Sequence, residues 1–156
     1  MKINGLIIEG PRPEVIVIPK NGVEYVFKAA PVLSFKPFED MCPVPNPPEI
    51  IKKGGAKSFD FEDKTYNDAI IEWAGRKNSW MILESLKATE GLEWDEVKEG
   101  DPETWSNYRT ELAKCFTDPE IVQIINIVHI ACGLNQEKIE EATARFLATE
   151  DQTPSE

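Results

Sequence analysis

The segment from Pro119 to Cys132 constrains this chain more than any other. Ile121, Val122, Ile124, Ile125, Ile127, Val128, Ile130 and Ala131 cover most of its circumference when it is drawn as a helix. Glu120, Gln123, Asn126 and His129 are spaced by three and fall on one narrow polar stripe. A helix apolar over so much of its girth has to be enclosed by neighbours. It is expected to be the central helix of the C-terminal half. Part of it is left for a partner chain, because a half of about 90 residues has few elements to surround it. Its start is marked by Asp118-Pro119-Glu120, an N-cap carboxylate before a proline. Gly133 ends it, and Asn135 caps a last helix through Ile139, Ala142, Phe146 and Leu147.

Upstream, the period of the pattern changes. Residues 3–9, 15–18 and 23–29 are rich in β-formers, and Asn21-Gly22 between the last two is a hairpin signal. Val23, Tyr25 and Phe27 alternate with Glu24, Val26 and Lys28, as in a strand with one buried face. Val15 to Ile18 is apolar on both faces, so it is expected to lie centrally or to pair outside the chain. Six prolines between Pro31 and Pro48 then predict an extended connector, held against the body by Phe35, Phe38 and Met41. From Lys64 a helical face follows through Tyr66, Ala69, Ile70 and Trp73. It continues at Trp80, Leu83 and Leu86 after a weak point at Gly75. Asp101-Pro102-Glu103 marks a further helix start. The fold class is therefore α+β. An N-terminal antiparallel β-meander (1–30) precedes a proline-rich connector (31–62), an acidic module of about four helices (63–150) and a disordered tail (151–156). All are expected to form one compact unit.

Charge is divided as unevenly as structure. Residues 1–88 carry 12 acidic and 12 basic side chains, whereas 89–156 carry 16 and 5, so the second half holds the whole net charge of −11. The run 90–103 is densest, with Glu90, Glu93, Asp95, Glu96 and Glu99 as its candidate acidic surface. Such a surface repels phosphate backbones and anionic lipid, so neither nucleic acid nor membrane is an expected partner. It lacks the glycine and closing glutamate of an EF-hand. Imitation of nucleic-acid phosphates is the sharper alternative to a solvated face. Leu92, Trp94 and Val97 set apolar anchors within the run. With Trp80 and Trp105 they are either core or an aromatic anchor ringed by charge.

No catalytic pattern occurs: GxSxG, HExxH and GxGxxG are all absent, and Gly54-Gly55-Ala56-Lys57 has the wrong spacing for a phosphate loop. His129 is the sole histidine, and Cys42, Cys115 and Cys132 include no CxxC pair, so neither a zinc site nor a general base is expected. Reduced cysteines are the expectation, although a Cys115–Cys132 pair stays open. No cofactor or enzymatic activity is expected. The first ten residues lack the pattern of a signal peptide, and no run is long enough to span a bilayer. Candidate partner-binding residues are Trp80, Trp94, Val97, Trp105, Ile121, Ile124, Ile125 and Val128.

The C-terminal half also resembles a known family. Trp80-Met81-Ile82-Leu83-Glu84-Ser85-Leu86, Leu92-Glu93-Trp94-Asp95-Glu96-Val97 and Asp101-Pro102-Glu103-Thr104-Trp105 are similar to segments of tail assembly chaperones of long-tailed bacteriophages. Glu111-Leu112, Glu120-Ile121 and the closing Glu141-Ala142-Thr143-Ala144-Arg145-Phe146-Leu147 continue the likeness over about residues 64–148, with a weaker echo in 38–48. The resemblance implies a non-enzymatic protein that coats the helical tape-measure protein and recruits tail-tube subunits in the cytoplasm of the infected bacterial host. Inhibition of a host protein, by acidic mimicry, and a minor structural place in the virion are the alternatives. Homo-oligomerisation stays open.

Overall fold

The computed structural model describes residues 1–134 and 136–150. The cap expected at Asn135 and the tail 151–156 lie outside the described residues. Within them the architecture is α+β, with small antiparallel hairpins followed by helices. Strands β3 (Glu14–Lys20) and β4 (Val23–Ala29) pair from Glu14 opposite Ala29 to Lys20 opposite Val23. Asn21 and Gly22 close this hairpin with φ of 51° and 79°, the left-handed pair that a two-residue turn of matching twist requires.

The same dipeptide acts a second time. Asn4 and Gly5, with φ of 50° and 79°, fold the expected first strand back on itself as β1 (Lys2–Ile3) and β2 (Leu6–Ile7). The N-terminal strands are thus two separate hairpins rather than one three-stranded meander. The strand over Val15 to Ile18 is correspondingly not central. Ile16 and Ile18 face the core with Phe27, whereas Val15 and Val17 face outward with Val26. The outer edge of β4 is fastened to residues 85–89 of the helical half. Thr89 Oγ1 accepts from Lys28 N–H at 2.9 Å and donates to Lys28 C=O at 3.0 Å. Ala30 N–H donates to Ser85 C=O at 2.9 Å, and Ser85 Oγ donates to Ala30 C=O at 2.7 Å.

The proline-rich stretch is more than a connector. It contains helix α1 (Lys36–Met41), because Pro37 falls in the first turn, where the missing N–H costs nothing. Phe38 on α1 is fully buried and meets the rings of Trp73, Trp80 and Trp105 at centroid distances of 5.6, 5.9 and 6.2 Å. A third hairpin, β5 (Glu49–Ile51) with β6 (Lys57–Phe59), follows. Helix α2 (Lys64–Leu86) starts at Asp63, whose carboxylate accepts from Tyr66 N–H at 2.7 Å. It runs unbroken through Gly75. Tyr66, Ala69, Ile70 and Trp73 are its half-buried face, as the periodicity requires, and burial becomes continuous over its last two turns.

Asp101 caps a 3₁₀ helix (Pro102–Asn107), accepting from Glu103 N–H, and this leads into α3 (Tyr108–Cys115). Helix α4 (Asp118–Ala131) begins one residue earlier than expected. Thr117 is its N-cap, and Glu120 reaches back to accept Thr117 N–H at 2.8 Å, so Asp118 is the first helical residue rather than the cap. Ile124, Ile127, Val128 and Ala131 bury themselves against β3, β4 and α2. Gly133, with φ of 72°, ends the helix as expected, and α5 (Gln136–Glu150) follows. No helix among the described residues is long and apolar enough to cross a membrane. All three cysteines are free thiols.

Candidate functional site

The eight apolar residues singled out in the sequence do not form one surface. Four of them surround a cavity of about 110 Å³: Trp80 and Trp105 close it from inside, Trp94 and Val97 from the acidic loop, with Leu83 and Leu92 between. Trp80 and Trp105 are buried, whereas Trp94 and Val97 are half-buried. These side chains fasten the acidic loop to α2. Trp105 Nε1–H donates to the carbonyls of Lys98 and Glu99 at 3.2 and 3.1 Å. On the polar side of the same cavity, Lys87 bridges Glu84 at 2.7 Å and Glu99 at 3.1 Å. Partial burial works to lower the Lys87 pKa, but hydrogen bonds and charge from these two carboxylates outweigh it and leave it raised.

The acidic loop is held by charged side chains of α2 and α3. Glu111 accepts from both Asp95 N–H and Glu96 N–H, at 2.8 and 2.7 Å, and Lys114 pairs with Glu96 at 2.7 Å. Arg76 holds Glu103 and Glu72. Glu90, Glu93, Asp95, Glu96 and Glu99 are all exposed, as expected of an acidic surface. Among the described residues no cluster of His, Cys, Asp or Glu is placed to hold a metal ion.

The isoleucine set divides differently. Ile124 and Val128 are fully buried, so they are core and are not available to a partner. Ile121 and Ile125, one turn apart on the adjoining flank of α4, are half-buried and line an open groove of about 540 Å³. Val122 stands beside them, 61% exposed. Ile82 of α2 and Tyr108 of α3 complete the apolar floor. Asn78, Arg109, Asp118, Asn126 and His129 form its polar margin. Tyr108 is fixed there because Arg109 Nε donates to its hydroxyl at 2.9 Å.

The groove follows α4 from Asp118 to His129. Helix α4 has 14 residues, so its exposed flank is about 21 Å long. Its floor is aliphatic and aromatic, and its few polar groups stand at the rim, the usual division of labour in a recognition site. His129 and Asp118 lie eleven positions apart along α4, or about 16 Å, and so do not form an acid–base pair. Val122, Ile82 and Tyr108 were not among the candidates. Helical periodicity shows that α4 is apolar all round, but only the positions of α2 and α3 decide which flank stays open.

Comparison of the chain with protein-family models, with curated protein sequences and with solved structures gives no match.

Proposed function

We propose that this chain is a non-enzymatic protein-binding accessory whose groove between α2, α3 and α4 receives an apolar helical surface of another protein. The observation that carries the reading is the open flank of α4, where Val122 is exposed and Ile121 and Ile125 are half-buried, while Ile124, Ile127, Val128 and Ala131 are packed away. Completing the burial of these three side chains against a helix contributes on the order of 2–4 kcal/mol before the cost of association. The acidic half keeps such a surface soluble and clear of nucleic acid.

The resemblance of residues 64–148 to tail assembly chaperones gives this reading its more specific form. The tape-measure protein of a long-tailed phage is the helical client, with tail-tube subunits recruited beside it, in the cytoplasm of the infected host. Acidic mimicry is less favoured, since Glu96, Glu99 and Glu103 are held in internal ion pairs and Glu111 caps the loop backbone.

Affinity capture from infected cells tests the proposal. Tape-measure or tail-tube protein recovered with wild type, and lost with Val122→Asp, is the expected result. Capture of a host nuclease or DNA-binding protein, or presence of the chain in purified virions, overturns the chaperone form. Val122 is exposed, so the variant retains its fold, which an unchanged melting transition verifies.

A further inference from the structure

Trp80, Trp94 and Trp105 meet around the cavity of about 110 Å³, with Glu84, Glu99 and Lys87 on its polar side. Phe35 and Phe38 each back the ring of Trp80 at a centroid distance of 5.9 Å, and Phe38 backs Trp105 at 6.2 Å. Two of the three indole walls are thus fixed before any ligand arrives. An indole face carries negative potential and is the best aromatic partner for a cation. Among the described residues, cations stand over Phe35, Trp73, Tyr108 and Phe116, and none over the three rings of the cavity. We propose that this cavity is a binding site for a quaternary ammonium head, with the indoles as its walls and Glu84 and Glu99 at its mouth. It shares no lining residue with the α4 groove, so neither reading rests on the other.

Charge sets the sign of the ligand. Glu84 and Glu99 outnumber Lys87 at the cavity. The 90–103 loop, which supplies its outer wall, carries seven carboxylates against Lys98 alone. Such a field concentrates cations and keeps phosphates and carboxylates away.

Hydrogen bonding and size set the chemistry of the head. Trp105 Nε1–H is already spent on the carbonyls of Lys98 and Glu99. Glu84 and Glu99 already hold Lys87, at 2.7 and 3.1 Å. A primary ammonium or a guanidinium would have to take these carboxylates from Lys87 or bury its N–H donors unpaired. A quaternary ammonium has no N–H to satisfy, and its methyl groups pack directly on the rings. At roughly 30 Å³ per heavy atom, the share of a molecule in liquid water, the cavity takes about four. A trimethylammonium group is one nitrogen and three carbons.

Lys87 competes from within for the same two carboxylates, so its removal gives a signed test. The indole N–H signals of the four tryptophans are followed by NMR while the full chain is titrated with choline chloride at constant ionic strength. Those of Trp80, Trp94 and Trp105 should move saturably, and that of Trp73, bonded to Cys42 C=O outside the cavity, should move least. Lys87→Gln should tighten choline binding about threefold or more, since it frees both carboxylates, whereas at an anion site it would weaken binding. Trp94→Leu keeps an apolar wall without a ring and should weaken binding about fivefold or more. Neohexyl alcohol, the uncharged isostere of choline with carbon in place of nitrogen, should bind about tenfold more weakly. No saturable shift with choline, equal binding of the isostere, or weaker binding by Lys87→Gln overturns the proposal. If Trp94→Leu does not fold, the isostere on wild type and the exposed Lys87 still decide it. A short peptide bearing trimethyl-lysine, titrated beside choline, separates a protein-borne head from a free one: the tighter binder names the source.

Discussion

Thr89 and Ser85 join the hairpin to the helical half through four hydrogen bonds, three of them made by side-chain hydroxyls that no apolar residue can replace. Thr89→Val keeps the shape but leaves Lys28 N–H and C=O without partners, and should cost about 1–3 kcal/mol in denaturant unfolding. Glu120 makes a different prediction. The Thr117 amide, and beyond it the Lys20 ammonium at 3.4 Å, hold its carboxyl below the usual glutamate range. A folded-state pKa below the unfolded one gives stability that is present above the unfolded value. That stability is lost as pH falls through the folded one. Glu120→Gln should therefore lower the melting temperature at neutral pH and flatten its decline on acidification. An acid limb identical to wild type would refute that assignment. At this scale the sequence was readable where a cap is local. Asp101 acts as expected, whereas the start of α4 moved one residue because Thr117 with Glu120 supplies a capping box that competes with Asp118.

At the scale of elements, periodicity placed α2, α4 and α5, and the Asn-Gly signal placed the β3–β4 turn. The same signal at Asn4-Gly5 was overlooked within what looked like one strand. Helix α1 departs from the extended connector that six prolines predict, because a proline in the first turn is compatible with a helix. Its anchor Phe38 has Trp73, Trp80 and Trp105 around it, so Phe38→Ala should cost about 3–5 kcal/mol. A variant near wild type would mean that α1 is not part of the core. Gly75, read as a weak point, does not interrupt α2, because the buried last turns hold the helix together. A methyl added there meets no atom within 4 Å. Gly75→Ala should accordingly stabilise the protein by about 0.5–1 kcal/mol in thermal or denaturant melts.

For the whole molecule, the acidic half is a frame held together by aromatic contacts and ion pairs. Its tryptophans pin the 90–103 loop, and its open apolar ground lies on α4, away from the densest charge. The candidate site was half legible. The sequence shows that α4 is too apolar to stand alone, and it names Ile121 and Ile125. It does not separate them from Ile124 and Val128, because that depends on how α2, α3 and the hairpin surround the helix.

Client capture compared between two variants tests the central claim most directly. Val122→Asp alters the groove, and a combined change of Glu93, Asp95, Glu96 and Glu99 to Ser removes much of the acidic surface. The account predicts that the first loses the client while the second retains it. Loss of the client with the second alone would contradict it and make the acidic face the binding surface.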